Sequence, residues 1–329
     1  MNDLRSMVQT RRLTPDATGI AEAAAILKRG GLVAFPTETV YGLGADATNA
    51  EAVAGIYAAK ERPSFNPLIS HLDSFEAARK QGTFDETAER LARAFWPGPL
   101  TLVVPVAETC TISDLARAGL DSVALRMPAH LLAHALLERT GRPIAAPSAN
   151  RSGRISPTEA DHALGDLDGR IDAVLDGGPA LVGVESTIVA CLGGAPCLLR
   201  PGGVPREAIE ALIERKLETG AEPGNNPVAP GMLASHYAPR AQVRLNATEI
   251  RPGEAALLFG TCSPDGIDAA KAVLNLSENG DLTEAAARLF SSLRQLDASG
   301  VETIAVGPIP ETGLGEAIND RLRRAAAER

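Results

Sequence analysis

The chain has 329 residues, long enough for a large core and a smaller second one, and its 45% of apolar residues is ordinary for a globular protein. Aromatic residues make up only 3%, so the core must rest on Ala, Val, Leu and Ile, and base stacking is excluded as the main route to nucleic acid. Lys and Arg number 32 against 41 Asp and Glu; the formal charge of −9 opposes a broad grip on polyanions but leaves room for a local basic pocket.

The first stretch, MNDLRSMVQTRRL, lacks the apolar run of a signal peptide, and no later segment has the apolar length of a membrane span, which points to a cytoplasmic protein. From Asp16 to Arg29 apolar residues recur at helical spacing between polar starters and Gly30-Gly31, predicting a capped helix. LVAFPT then reads as a buried strand, Asn49 to Lys60 as a second helix, and PLISHL as the next strand. A helix over Phe84 to Phe95, the strands PLTLVVPV and SVALRMP, the helix HLLAHALLERTG and the strand IAAPSAN continue the alternation. His130 and His134 in that helix are spaced as two metal ligands would be, but the glutamate of HExxH is missing, and an amphipathic helix is the simpler reading. The four cysteines, Cys110, Cys191, Cys197 and Cys262, form no CxxC pair and are read as reduced structural thiols.

DAVLDGG, STIVACLG and CLLRPGG predict three more strands, with Gly-Gly at the turns. The whole describes one α/β domain over residues 1–217. GAEPGNNPVAP marks a linker, placed over 218–240, and AALLFG, LTEAAARLFSSLRQL, VETIAVG and GEAINDRLRRAAA describe a small α/β domain over 241–329.

Cations and small polar residues gather where the strands of the first domain end. Thr37 and Thr39 follow LVAFP; Lys60, Arg62 and Asn66 precede PLISH; Arg126 follows SVAL. Ser148 and Asn150 follow IAAP, Ser186 and Thr187 follow GVE, and Arg200 precedes PGG. Taken singly, each is an ordinary surface or turn residue. Their coincidence at corresponding places, where open α/β sheets bind ligands, points to an anionic ligand. A nucleotide is one such ligand, yet there is no GxxxxGK[ST] and no complete GxGxxG, because GLGADA only begins like the latter.

FPTETVYGLGADA, KERPSFNPLISH, WPGPLT, SVALRMPAH, PIAAPSANRSGRISPT, GVESTIV, LLRPGG and APGMLASHYAP resemble, in order and spacing, the threonylcarbamoyl-AMP synthases, over Phe35 to Pro239. The long form of that family implies a large open twisted mixed-sheet domain with a concave ligand crevice, then a linker and a small Rossmann-like α/β domain. It implies a nucleotidyltransferase that joins L-threonine, bicarbonate and ATP into threonylcarbamoyl-AMP and releases pyrophosphate and water. The threonylcarbamoyl group is destined for adenosine 37 of tRNAs, and a separate complex performs that transfer. By resemblance, Lys60 and Arg62 are catalytic and hold ATP together with Asn66, Ser122, Ser148, Asn150, Ser156, Arg200 and Tyr237. Thr37, His71, Arg126 and Ser186 hold threonine, and Mg²⁺ accompanies ATP, with no metal ligands assigned. Tyr237, in SHYAP, is expected to close over ATP as part of a lid.

Two other readings compete. One is a carbamoyl-transfer domain of the kind in hydrogenase-maturation proteins, whose additional acylphosphatase and zinc-finger segments are not visible in this sequence. The other is an RNA-binding module, against which the acidic balance and scarce aromatics weigh; direct tRNA binding is not expected for the same reason.

Overall fold

The computed structural model describes residues 9–63, 66–220 and 237–327. Most of the expected linker, including Ser235 and His236 of SHYAP, lies outside them, as do Ser64 and Phe65 of the proline-bounded loop. The expected helices form where capping residues start them. Asp16 accepts from the N–H groups of Thr18 and Gly19 ahead of Ala17–Lys28, Asn49 caps Ala50–Lys60, and Asp85 caps Glu86–Phe95. His130 is likewise a cap: its Nδ1 accepts from the Leu132 N–H at 3.2 Å, outside Leu131–Thr140, so it and His134 do not share a helical face.

In chain order the strands of the large sheet are β1 (Arg11–Leu13), β2 (Val33–Phe35), β3 (Gly42–Asp46), β4 (Ile69–His71), β5 (Leu100–Pro105), β6 (Ser122–Arg126), β7 (Ile144–Ala145), β8 (Ala173–Leu175), β9 (Thr187–Ala190), β10 (Cys197–Arg200) and β11 (Glu218–Thr219). They form one eleven-stranded mixed sheet in the order β1-β8-β2-β3-β7-β4-β6-β5-β9-β10-β11. Four strands are additions to the sequence reading or differ from it. Gly42–Asp46, the beginning of a glycine motif in the sequence, is a strand, and β1 and the Glu218–Thr219 pair are short edge strands. IAAPSAN keeps only two ladder residues, because Pro147 has no N–H to donate.

Alternation along the central strands separates two faces. Leu102, Val104, Val123, Leu125 and Val189 point into the main core, with Val53, Ile56, Leu91 and Ile209 from the covering helices. Ile69, Val103, Ala124 and Ala190, aligned across the sheet by register, point the other way and form a small apolar floor with Ile188. His71 and Arg126 are register partners on that second face.

A second, parallel sheet contains β12 (Gln242–Arg244), β13 (Ala255–Leu258), β14 (Ala272–Asn275) and β15 (Thr303–Val306), ordered β12-β15-β13-β14, with helices Leu282–Ala298 and Leu314–Ala326. Its core is continuous with the large unit: Val40, Ile155, Val184 and Tyr237 join Leu289, Phe290, Leu293, Ile318 and Leu322 in one apolar cluster. Around that seam Arg206 meets Glu316 at 2.6 Å, Arg294 meets Asp166 at 2.9 Å and Arg321 meets Glu185 at 2.8 Å. No helix among the described residues is long and apolar enough to cross a membrane.

Candidate active site

The turn that leaves β2 opens the site. Thr37 accepts from the N–H groups of Thr39 and Val40 and donates to the Val40 carbonyl at 2.7 Å, a side-chain turn that fixes the loop against the sheet. Between these threonines Glu38 turns inward. Its Oε1 takes the Arg126 Nη2 at 2.6 Å and its Oε2 takes the Ala129 N–H at 3.2 Å, while Arg126 Nε donates to the Gly98 carbonyl at 3.3 Å. A buried guanidinium therefore stands at the end of β6 with a carboxylate holding its orientation. Beside it, burial and then the charge of Arg126 push His71 down to about 3, so its imidazole is neutral at physiological pH. Among the described residues its Nδ1 has no partner, and Phe35 lies edge-on to its ring at 6.1 Å.

Across the floor, Ser186 shares a hydrogen bond with Thr101 at 2.7 Å, and Arg200 Nη2 donates to the Ser186 carbonyl at 2.9 Å and to its Oγ at 3.2 Å. Neighbouring Glu185 is buried with one oxygen on the Ser156 hydroxyl at 2.5 Å and the other on Arg321 Nε at 2.8 Å. Burial works against its charge, but the guanidinium groups of Arg321 and Arg200 and the Ser156 hydroxyl hold the carboxyl below its ordinary range.

The two cations of KERPSFNPL divide. Arg62 lines the crevice, donates to the Pro67 carbonyl at 3.4 Å, has no partner for Nε among the described residues, and is pushed down to about 10 by burial. Lys60 is buried behind the wall, and its ammonium donates to the carbonyls of Ser148 and Asn150. Burial, then the charge of Arg62, sets the lysine well below its ordinary range. Asn150 Nδ2 bonds the carbonyls of Arg151 and Arg154, so lysine and asparagine together shape the loop that offers Ser148. Asn150 Oδ1 and both polar side-chain atoms of Asn66 are buried without partners among the described residues.

Thr37, Arg62, His71, Arg126, Ser148, Ser186, Arg200 and Tyr237 line one crevice, about 520 Å³ of empty space counting its open mouth. Lys60, Asn66, Asn150 and Ser156 are not part of that lining. Ser122 is also outside it; it shares the face of Arg126 but stands four residues earlier on β6, roughly 13 Å away at strand rise. Because the sheet is mixed, the crevice draws on starts and ends of strands and lies across a face, whereas sequence reasoning placed it at strand ends alone. Sequence reasoning also missed Glu38, Glu185, Thr101 and Arg321. The available signal was a single acid set among hydroxyl residues in TET and GVES, a place where a carboxylate is buried only if a cation meets it.

Three buried arginines, two carboxylates each already matched by a guanidinium, a neutral imidazole and a set of hydroxyl groups define an α/β enzyme whose crevice takes an anionic substrate. Comparison with known proteins narrows the class. A family model described as Telomere recombination matches residues 25–202, and one described as Threonylcarbamoyl-AMP synthase, C-terminal domain matches residues 204–327. The chain is 43% identical to the threonylcarbamoyl-AMP synthase of Bacillus subtilis over 97% of its own length and 96% of the relative's. It is 44% identical to that of Pyrococcus abyssi, covering 93% and 94%. The crystal structure of P. abyssi Sua5 complexed with L-threonine matches with a TM-score of 0.88 at 40% identity, over 96% of this chain and 97% of that one. The chain belongs to the threonylcarbamoyl-AMP synthase family.

Proposed function

We infer that the protein makes threonylcarbamoyl-AMP from L-threonine, bicarbonate and ATP, releasing pyrophosphate and water. The observation that carries this reading is the convergence of Arg62, Arg126 and Arg200 with a neutral His71 on one buried crevice, in a chain that matches the family along nearly its whole length. Arg126 and the hydroxyls of Thr37 and Ser186 receive threonine; the planar guanidinium suits its carboxylate, and uncharged His71 receives its hydroxyl without adding charge. Arg62, Arg200 and Ser148 face the phosphates. Lys60 serves the nucleotide side from behind the wall, where its ammonium holds the Ser148 and Asn150 carbonyls and so sets the loop that presents Ser148 to ATP. Asn66, Asn150, Ser122 and Ser156 complete the nucleotide side, and Tyr237 covers it.

In this mechanism the unprotonated threonine amine attacks bicarbonate, or the carbon dioxide derived from it, and becomes a carbamate. A carbamate oxygen then attacks the α-phosphorus and pyrophosphate departs. Buried cations aimed at the phosphates stabilise the charge that builds there, and Tyr237 over the crevice limits water's access to the adenylate. Among the described residues no group of three or more His, Cys, Asp or Glu is placed to hold a metal. Mg²⁺ therefore enters the proposal as a companion of the ATP phosphates, neutralising their charge, and no step is built on it. The proposal further divides the chain into a catalytic unit over 1–217, a lid over 218–240 and a small domain over 241–329, places it in the cytoplasm, and hands the product to a separate tRNA-modifying complex.

Pyrophosphate release, followed with threonine, serine, valine or no amino acid, tests it. Release is expected to require both threonine and bicarbonate, with the acyl adenylate detected by mass spectrometry. Serine, which lacks only a methyl group, is expected to react with kcat/KM reduced about 10- to 200-fold, and valine not at all. Release indifferent to threonine would overturn the assignment and favour carbamoyl transfer.

A further inference from the structure

The deepest charge near the crevice comes from the other sheet. Arg321, on helix Leu314–Ala326, is 0% exposed, yet its Nε reaches Glu185 at 2.8 Å and its Nη1 reaches the Pro201 carbonyl at 2.8 Å. Its guanidinium lies over the Tyr237 ring, 5.4 Å from the centroid, and Phe290 lies against the same ring at 5.6 Å. Glu185 and Tyr237 are both crevice wall. An arginine taken wholly out of water is expensive unless its partners repay the desolvation; Asp320 on its own helix does part of this, at 2.8 Å from Nη1, and Glu185 and the Pro201 carbonyl do the rest from the other structural unit.

We propose that Arg321 is a positioning residue for the nucleotide: it neutralises Glu185 from behind and braces Tyr237, so that the wall offers no uncompensated negative charge to the phosphates. The argument rests on the ATP-dependent function inferred above. Without Arg321, Glu185 would face a polyphosphate with only Arg200 and the Ser156 hydroxyl to offset its charge, and a buried charge is screened less than an exposed one. The small domain is then part of the binding site's electrostatics as well as its support.

ATP binding, measured by titration calorimetry without threonine or bicarbonate, separates this idea from the chemistry. Arg321→Met is expected to raise the Kd for ATP about tenfold or more. Adding Glu185→Gln to it removes the stranded carboxylate and is expected to restore Kd to within about threefold of the parent. Arg321→Lys, which keeps the charge, is expected to stay near the parent value. Arg321→Gln can still donate to Glu185 without charge and carries the same expectation as Arg321→Met, should the latter fail to fold by circular dichroism. In steady-state kinetics the KM for ATP should rise more than that for threonine. A folded, uncharged variant with unchanged ATP affinity, or a double variant as weak as the single one, overturns the proposal. If the parent binds ATP but releases no threonine-dependent pyrophosphate, the functional reading falls while the Arg321 result stands.

Discussion

Lys60 and Arg62 are two residues apart in sequence and different in kind once folded. Lys60 holds two loop carbonyls inside the protein, so Lys60→Ala is expected to lose turnover and also about 2 kcal/mol of stability, from the unmatched carbonyls and the space left behind. Arg62 has only a long contact to Pro67 in its surroundings as described, and Arg62→Ala should cost at least about tenfold in pyrophosphate release with little change in melting temperature. Thermal melts beside activity assays check the pair; equal destabilisation by both would contradict the distinction. His71 supplies a pH signature. Its folded value, about 3, lies below that of an unfolded histidine, so the unfolded chain takes the proton first. Its contribution to stability is complete above about pH 6.5 and is lost progressively as the pH falls toward 3, amounting to about 2 kcal/mol between pH 7 and pH 5. His162, held at about 4, declines in the same window, so His71→Asn should flatten the loss without abolishing it, as urea unfolding at the two pH values will show. A variant with the parent's full pH dependence would mean that His71 is not held neutral by its burial.

At the level of elements, the site depends on how closely the turn after β10 approaches β9. A Cβ on Gly202 would lie 2.3 Å from the Glu185 carbonyl oxygen and 2.4 Å from the Ser186 carbonyl carbon, both backbone atoms. Gly202→Ala must move the segment that carries Glu185 and Ser186, and is expected to destabilise by about 1–3 kcal/mol and to raise KM for threonine and ATP together. Kinetics with each substrate varied in turn check this, since unchanged KM values would mean that the segment adjusts freely. The elements themselves were unequally legible. Helices announced by Asp16, Asn49 and Asp85 are plain in the sequence because caps and periodicity agree. Gly42–Asp46 and Gln242–Arg244 escaped because one is rich in glycine and the other is a polar edge strand; each is a strand through the pairing of its neighbours rather than through its own residues.

At the level of the molecule, the two sheets meet through side chains that serve both. Phe290, on helix Leu282–Ala298, is fully buried against Tyr237, and Phe290→Ala is expected to cost about 3–5 kcal/mol and to weaken ATP binding as the ring loses its support. Denaturant unfolding with ATP calorimetry checks it; a stability loss with ATP affinity intact would uncouple Tyr237 from its backing. Gly183 shows how close the units come, since a Cβ there would fall 2.4 Å from the Ala286 carbonyl oxygen, at a φ of +75°. Local chemistry sufficed to read the α/β alternation, the family motifs and the cations Lys60, Arg62, Arg126 and Arg200, because periodicity, caps and residue type are properties of neighbouring positions. Which of those cations faces the crevice, which is spent on backbone, and which carboxylates are buried with them was decided only by tertiary structure. Glu38 meets Arg126 across 88 positions and Glu185 meets Arg321 across 136, and in sequence a carboxylate that will be desolvated and paired is the same residue as one that will stay in water.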